Sequence, residues 1–354
     1  MSRFWVENVG TLSPYVPGEQ PRSQALLKLN TNEHALQPST SVLSTLSEID
    51  MDSLRRYPDP TSRTLREAIA RQEGLDPGEV FVGNGSDEVL AHVWAAFFAG
   101  RTLASLDTTY GFYPVWSQLY GTRLTPIPLN DDFSVDLESL RDTGTSIVLA
   151  NPNAPTGLAL GRDEVEELVA INRDRLVVID EAYFGFGAET SSPLVNRYDN
   201  LIVTRSLSKS HALAGLRVGY AMAHPELIEG LTRVKDSFNS YPLDSLAQAV
   251  AKAAIEDVDW CRQAADVVIQ SRLAMTQGLR DMQFMVLPSL ANFVFAKHGN
   301  MSGKVLFEAL RERDILVRRW DTPRIIDWLR ISMGTPEETD QFLSAVGEIL
   351  EDKR

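Results

Sequence analysis

Short, almost wholly apolar runs recur along the first two-thirds of the chain: Val80-Phe81-Val82, Leu103 to Leu106, Ile147 to Ala150, Leu176 to Ile179, Leu201 to Val203 and Val218 to Met222. Runs of this length, bounded by polar clusters, predict strands buried on both faces. Between several of them the period changes. Thr64 to Gln72 and Asp163 to Ile171 read as helices, and Ser86 to Phe98 sets Val89, Leu90, Val93, Trp94, Phe97 and Phe98 at helical spacing. This alternation predicts an α/β domain built on a mainly parallel sheet covered by helices. From about residue 245 long helical patterns dominate. The late runs Asn292 to Ala296, Ile315 to Arg318 and Trp328 to Ser332 predict a smaller α+β domain. The expected division is an arm and small-domain part over 1–45, a large domain over 46–245 and a small domain over 246–354.

Ligands of parallel sheets sit beyond the carboxyl ends of the strands. The polar clusters of this chain fall there: Gly83 to Asp87, Asn151 to Gly157, Asp180 to Tyr183 and Ser206 to Lys209. Lys209 follows small hydroxyl residues after a strand, with Arg217 eight residues on. Such an amine can form a Schiff base with an aldehyde, and the hydroxyls and guanidinium can hold a phosphate. Asp180 ends a strand, where a carboxylate holds an opposing cation strongly; a helix cap is the other reading. Gly83-Asn84-Gly85-Ser86-Asp87 opens a helix and is either an anion cradle or an ordinary turn. Tyr110 is either a ring-stacking residue or a core tyrosine. Arg330 lies in a late apolar strand and requires either a substrate carboxylate or an internal partner.

Composition narrows the field. The chain has 354 residues, 44% hydrophobic and 23% charged, with a net charge of −14. That charge argues against a nucleic-acid surface. A lone Cys261 excludes internal disulfides and thiolate metal clusters, and the five histidines show no ligand spacing. No metal is expected. The N-terminus lacks a signal-peptide core and no run approaches a membrane span, so a cytoplasmic protein without membrane contact is expected.

Several motifs in order and spacing carry a resemblance: Pro14 to Gln20, Lys28 to Glu33, Arg56-Tyr57-Pro58-Asp59-Pro60, Asn153 to Gly157, Asp180-Glu181-Ala182-Tyr183, Ser206 to Arg217, and Leu329 to Ser332. Together they resemble the fold-type-I pyridoxal-phosphate aminotransferases, and within them the branch acting on histidinol phosphate. The resemblance implies a seven-stranded sheet, pyridoxal 5'-phosphate as cofactor, and exchange of an amino group between histidinol phosphate and 2-oxoglutarate. It implies that Lys209 forms the Schiff base and moves the proton, that Asp180 meets the pyridinium and that Tyr183 donates to the ring oxygen. Tyr110 is expected to stack on the ring, and Gly85, Ser86, Asp87, Ser206, Ser208 and Arg217 to form the phosphate cup. Tyr57 is expected to reach the cofactor phosphate of a neighbouring subunit, which makes a homodimer. Arg330 is the expected carboxylate arginine, with Tyr15, Asn32 and Arg318 on the substrate side. One departure matters: Ala154 stands where many relatives carry asparagine, so Asn153 must replace that amide or Tyr183 must act alone. The rival activities are an aromatic amino-acid aminotransferase, a phosphothreonine decarboxylase and a catalytically silent binding protein.

Overall fold

The computed structural model describes residues 2–20, 26–141 and 143–352. A short strand β1 (Leu27–Lys28) precedes seven that build the main sheet: β2 (Val80–Asn84), β3 (Thr102–Leu106), β4 (Arg123–Ile127), β5 (Ser146–Ala150), β6 (Val177–Asp180), β7 (Leu201–Ser206) and β8 (Val218–Ala223). Their order is β2-β8-β7-β6-β5-β3-β4. Strands β3 to β7 pair in parallel, whereas β8 runs against both β7 and β2.

Alternation within single strands explains why these runs are apolar throughout. Val177 and Ile179 of β6 point into one core with Leu65, Ile69 and Val203, and Val178 between them points into a second core with Trp94, Phe98, Tyr113 and Ile202. Both faces are covered, so both side-chain sets must be hydrophobic. The expected helix at Ser86 forms over Gly85–Val93 and continues as a wider π-helical turn over Trp94–Phe98. Six of the seven strands carry an apolar run. The seventh, β4, is an edge strand with an exposed Arg123 and Pro126. Its exposed Arg123 and Pro126, a proline being tolerated at a sheet edge, break the apolar run.

Four later strands, β9 (Phe284–Val286), β10 (Phe293–His298), β12 (Arg318–Arg319) and β13 (Leu329–Ser332), form an antiparallel sheet in the order β12-β13-β10-β9. The remaining strand, β11 (Ile315–Leu316), pairs in parallel with β1. The run at Ile315 to Arg318, expected as one strand, is thus split between two sheets. The expected boundary between residues 245 and 246 falls at the start of a helix. The helix Ser245–Glu256 buries Ala247, Val250, Ala251 and Ala254 in the same core as the main sheet. The small-domain core instead begins with the helix Val258–Asp281, through Val268, Met275 and Leu279. Among the described residues no helix is long and apolar enough to cross a membrane.

Candidate active site

The register of the central strands brings the polar clusters to one edge. Ala150, Asp180 and Thr204 lie side by side across β5, β6 and β7. The loops that follow them therefore open into a common cleft against the small domain. Residues from every cluster line it, among them Ser86, Asp87, Tyr110, Asp180, Tyr183, Ser206, Ser208, Lys209, Arg217, Arg318 and Arg330, with Tyr15 and Asn32 from the N-terminal segment.

Lys209 sits in the single helical turn Leu207–Ser210 after β7, capped by Ser206 Oγ, which accepts from the Ser208 N–H at 3.1 Å. Its Nζ donates to the Thr31 carbonyl at 2.9 Å and makes no ion pair with any described carboxylate. Burial, reinforced by the positive charge of Arg330, pushes the amine down to about 8. Roughly a tenth of such an amine is neutral at pH 7, far more than for an ordinary lysine. A neutral amine is what nucleophilic attack and proton abstraction both require.

Two adjacent carboxylates end β6, and strand alternation separates their fates. Asp180 faces the cleft, where its Oδ2 accepts from the Tyr113 hydroxyl at 3.0 Å and its Oδ1 from Thr204 at 3.3 Å. Glu181 faces the opposite side and is neutralised by the buried Arg205 at 2.9 Å. Asp180 has no such cation among the described residues. Burial pushes it up to about 6, against the lowering effect of the two hydroxyls. A cationic group placed beside it would restore full ionisation.

The anion cradle is built from backbone as well as side chains. Gly85 has φ +81, and a Cβ there would run into the Arg217 guanidinium. A Cβ on Gly219 would strike the Gly85–Ser86 backbone. The free N–H groups at the start of the helix Gly85–Val93 thus stand close to Arg217, which also lies 3.4 Å from Ser208 Oγ and 3.2 Å from Asp87. Tyr110 is held by its hydroxyl on Asp87 Oδ1 at 2.8 Å. This is a phosphate-sized cup with both backbone and guanidinium donors.

On the facing wall two arginines lack acid partners. Arg318 donates to the Val16 carbonyl at 3.1 Å and Arg330 to the Asn30 carbonyl at 3.0 Å; neither forms an ion pair among the described residues. The Arg330 Nε is buried without any acceptor. The Trp320 ring lies 5.6 Å from one guanidinium and 5.3 Å from the other. Tyr15 stacks on Phe112 at 4.5 Å and closes the same corner.

One residue expected at the cofactor does not line the cleft. Asn153 does not face the cleft. Its amide is taken up by the neighbouring loop after β3, accepting from Thr109 at 2.7 Å and donating to the Thr108 carbonyl at 2.9 Å. It shapes the turn, and Ala154 provides the wall. Tyr57 is 82% exposed, stacked on Tyr241 at 4.6 Å and absent from the cleft of its own chain. The motifs also missed Tyr113, Thr204 and Thr31. Strand pairing opposite Asp180 is the only signal that could have found Thr204, and it is a tertiary one.

Residues 24–346 match the family model described as aminotransferase class I and II. The chain belongs to the class I and II aminotransferases. Within them it is 53% identical over 99% of both chains to the histidinol-phosphate aminotransferase of Gluconacetobacter diazotrophicus. It is 52% identical, again over 99% of both, to histidinol-phosphate aminotransferase 2 of Gluconobacter oxydans. These identities place this aminotransferase in the histidinol-phosphate family. The crystal structure of histidinol-phosphate aminotransferase from Sinorhizobium meliloti, in complex with pyridoxal-5'-phosphate, shares its fold. The TM-score is 0.90 at 24% identity, covering 100% of this chain and 99% of that one.

Proposed function

We propose that this aminotransferase exchanges an amino group between histidinol phosphate and 2-oxoglutarate, giving imidazole-acetol phosphate and glutamate in histidine biosynthesis, with pyridoxal 5'-phosphate as cofactor. The observation that carries the reading is the pairing of one buried, cation-free carboxyl and one partly neutral amine with two unpaired guanidiniums across a single cleft.

The residues fit the cofactor. Gly85, Ser86, Asp87, Ser206, Ser208 and Arg217 would hold its phosphate, Tyr110 its ring face, Asp180 its ring nitrogen and Tyr183 its ring oxygen. When bound, the cofactor supplies an electron sink that makes the substrate Cα–H acidic. With the cofactor bound, Lys209 Nζ would be its covalent anchor and the base that takes the proton from the substrate Cα, and Asp180 would favour positive charge on the ring nitrogen. Arg318 and Tyr15 bind the phosphate ester, and Arg330 binds the carboxylate of the keto acid. Because both substrates use one site in turn, ping-pong kinetics follow.

The test is an absorbance spectrum of the holoenzyme before and after histidinol phosphate, followed by rates with phenylalanine and threonine phosphate. Loss of the visible band with histidinol phosphate, and a kcat/KM at least tenfold above the other two, are expected. A tenfold preference for phenylalanine, or carbon dioxide release from threonine phosphate, would transfer the reading to that activity. A protein that takes up no cofactor is the silent binding protein.

A homodimer belongs to the same reading. Met51, Leu54, Tyr57 and Phe238 are exposed apolar side chains around the Tyr57–Tyr241 stack. Such a patch is costly on a monomer. With Tyr57 outside its own cleft, a second copy is the place for its hydroxyl, at the partner's phosphate cup. Sedimentation equilibrium should return twice the chain mass, and a monomer at micromolar concentration would refute the dimer.

A further inference from the structure

The wall that would face the cofactor's ring oxygen is short of donors. Ala154 offers only a methyl group and the Asn153 amide is consumed by Thr108, Thr109 and Thr156. Tyr183 is the remaining side-chain hydroxyl there, and whether it can donate depends on where its hydrogen points. That is decided by Asn32.

Asn32 is 1% exposed and has φ +56, a conformation asparagine tolerates better than most residues. Three contacts fix it. Its backbone N–H donates to Ser332 Oγ at 2.9 Å, its carbonyl accepts from Asn292 Nδ2 at 2.9 Å, and its Oδ1 accepts from the Ser332 hydroxyl at 2.9 Å. Ser332 is itself 2% exposed, and Asn32 Oδ1 takes its hydrogen. Turning the amide over would strand that hydrogen in a buried place, which is unfavourable. The oxygen is therefore held on Ser332, and Nδ2 is left 3.0 Å from the Tyr183 hydroxyl. An amide nitrogen can only donate. Tyr183 must accept from it, so the tyrosine's own hydrogen is driven off that side and into the cleft.

We propose that Asn32, locked by Ser332, is a positioning residue that aims the Tyr183 hydroxyl hydrogen at the phenolic oxygen of the bound cofactor. It thereby serves in place of a second amide donor at position 154. This gives Asn32 a role different from the substrate contact expected of it, and it rests on the pyridoxal-phosphate reading above. Ser332 lies two residues after Arg330 on β13, on the same face of that strand. Substrate wall and cofactor wall are thus joined through one serine.

The consequence is spectroscopic. A hydrogen bond donated to the phenolic oxygen favours its anionic form and lowers the pH midpoint of the holoenzyme's visible band; losing it raises the midpoint. The groups facing Tyr183 are Arg330 from β13, Asp180 from β6, and the phenols of Tyr15, Tyr110 and Tyr113, all unchanged in the variants below. Asn32→Gly keeps the backbone conformation without strain and removes the donor. Asn32→Asp keeps the shape but presents an acceptor, which draws the tyrosine hydrogen back. Both should raise the midpoint by about 0.5–1 pH unit, the aspartate more, and Ser332→Ala should raise it less. In a Tyr183→Phe background Asn32→Gly should shift it no further, because Asn32 acts through that hydroxyl. An unchanged or lowered midpoint in Asn32→Gly, or an equal rise with and without Tyr183, would overturn the relay. A wild-type protein with no Lys209-dependent visible band would instead remove the reading beneath it.

Discussion

Replacing Lys209 with alanine should lower the transamination rate by about four orders of magnitude or more, with cofactor affinity much less affected. The reason lies in how many tasks converge on one atom. Nζ is the only side-chain amine lining the cleft among the described residues. On the proposed reading it would be both the cofactor's covalent anchor and the base for the substrate Cα proton. Its neighbours cannot take over. The nearby guanidiniums have no acceptor site for a proton, and Tyr183 is pushed up by burial. Binding survives because the phosphate cup and Asp180 do not depend on Lys209. The variant should therefore hold the cofactor without the lysine-linked band, and borohydride treatment followed by peptide mapping should find no label at position 209. A surviving linked band, or label on another lysine, would remove Lys209 from its role.

The second large effect is expected from Asp180→Asn. The shape is nearly unchanged, so Tyr113 and Thr204 can still donate to the amide oxygen, and the fold should be unperturbed. The negative charge, however, is gone. A buried carboxylate opposite a pyridinium stabilises the cation much more than a neutral amide does. A loss of about 10³-fold in kcat/KM, or about 4 kcal/mol of transition-state stabilisation, is the scale for such a charge. Cofactor binding should weaken by a much smaller factor. Rates and cofactor dissociation constants measured on the same preparations would separate the two. A fall in kcat/KM below tenfold would show that Asp180 is a structural cap, the other reading its position allows.

Much of this was legible before the fold. The apolar runs predicted six of the seven sheet strands, because a strand covered on both faces has no freedom to be polar. Lys209, Asp180, Arg217 and Arg330 stood out because their types and spacing match one chemistry. The failures have equally specific causes. β4 hid because exposed Arg123 and Pro126 interrupt its apolar positions. The helix Ser245–Glu256 packs in the main-sheet core, which helical periodicity does not reveal because it tells which face is buried but not against what.

Asn153 is the clearest case. In sequence it was the natural replacement for the amide missing at Ala154, one residue away. In the fold, Thr108 and Thr156 take its two donors and Thr109 its acceptor, and Thr108 and Thr109 approach from the end of a different strand. Asn32, 121 residues upstream of Asn153, provides the amide that bears on Tyr183 instead. The chain's composition and motif order were enough to determine the α/β class and the family, since these depend on residue type and local period. Which carboxylate of the Asp180–Glu181 pair faces the cleft, which amide orients Tyr183 and which arginines lack partners were decided only by tertiary structure. Those properties depend on hydrogen-bond and ion-pair partners brought together from distant segments, and local sequence carries no record of them.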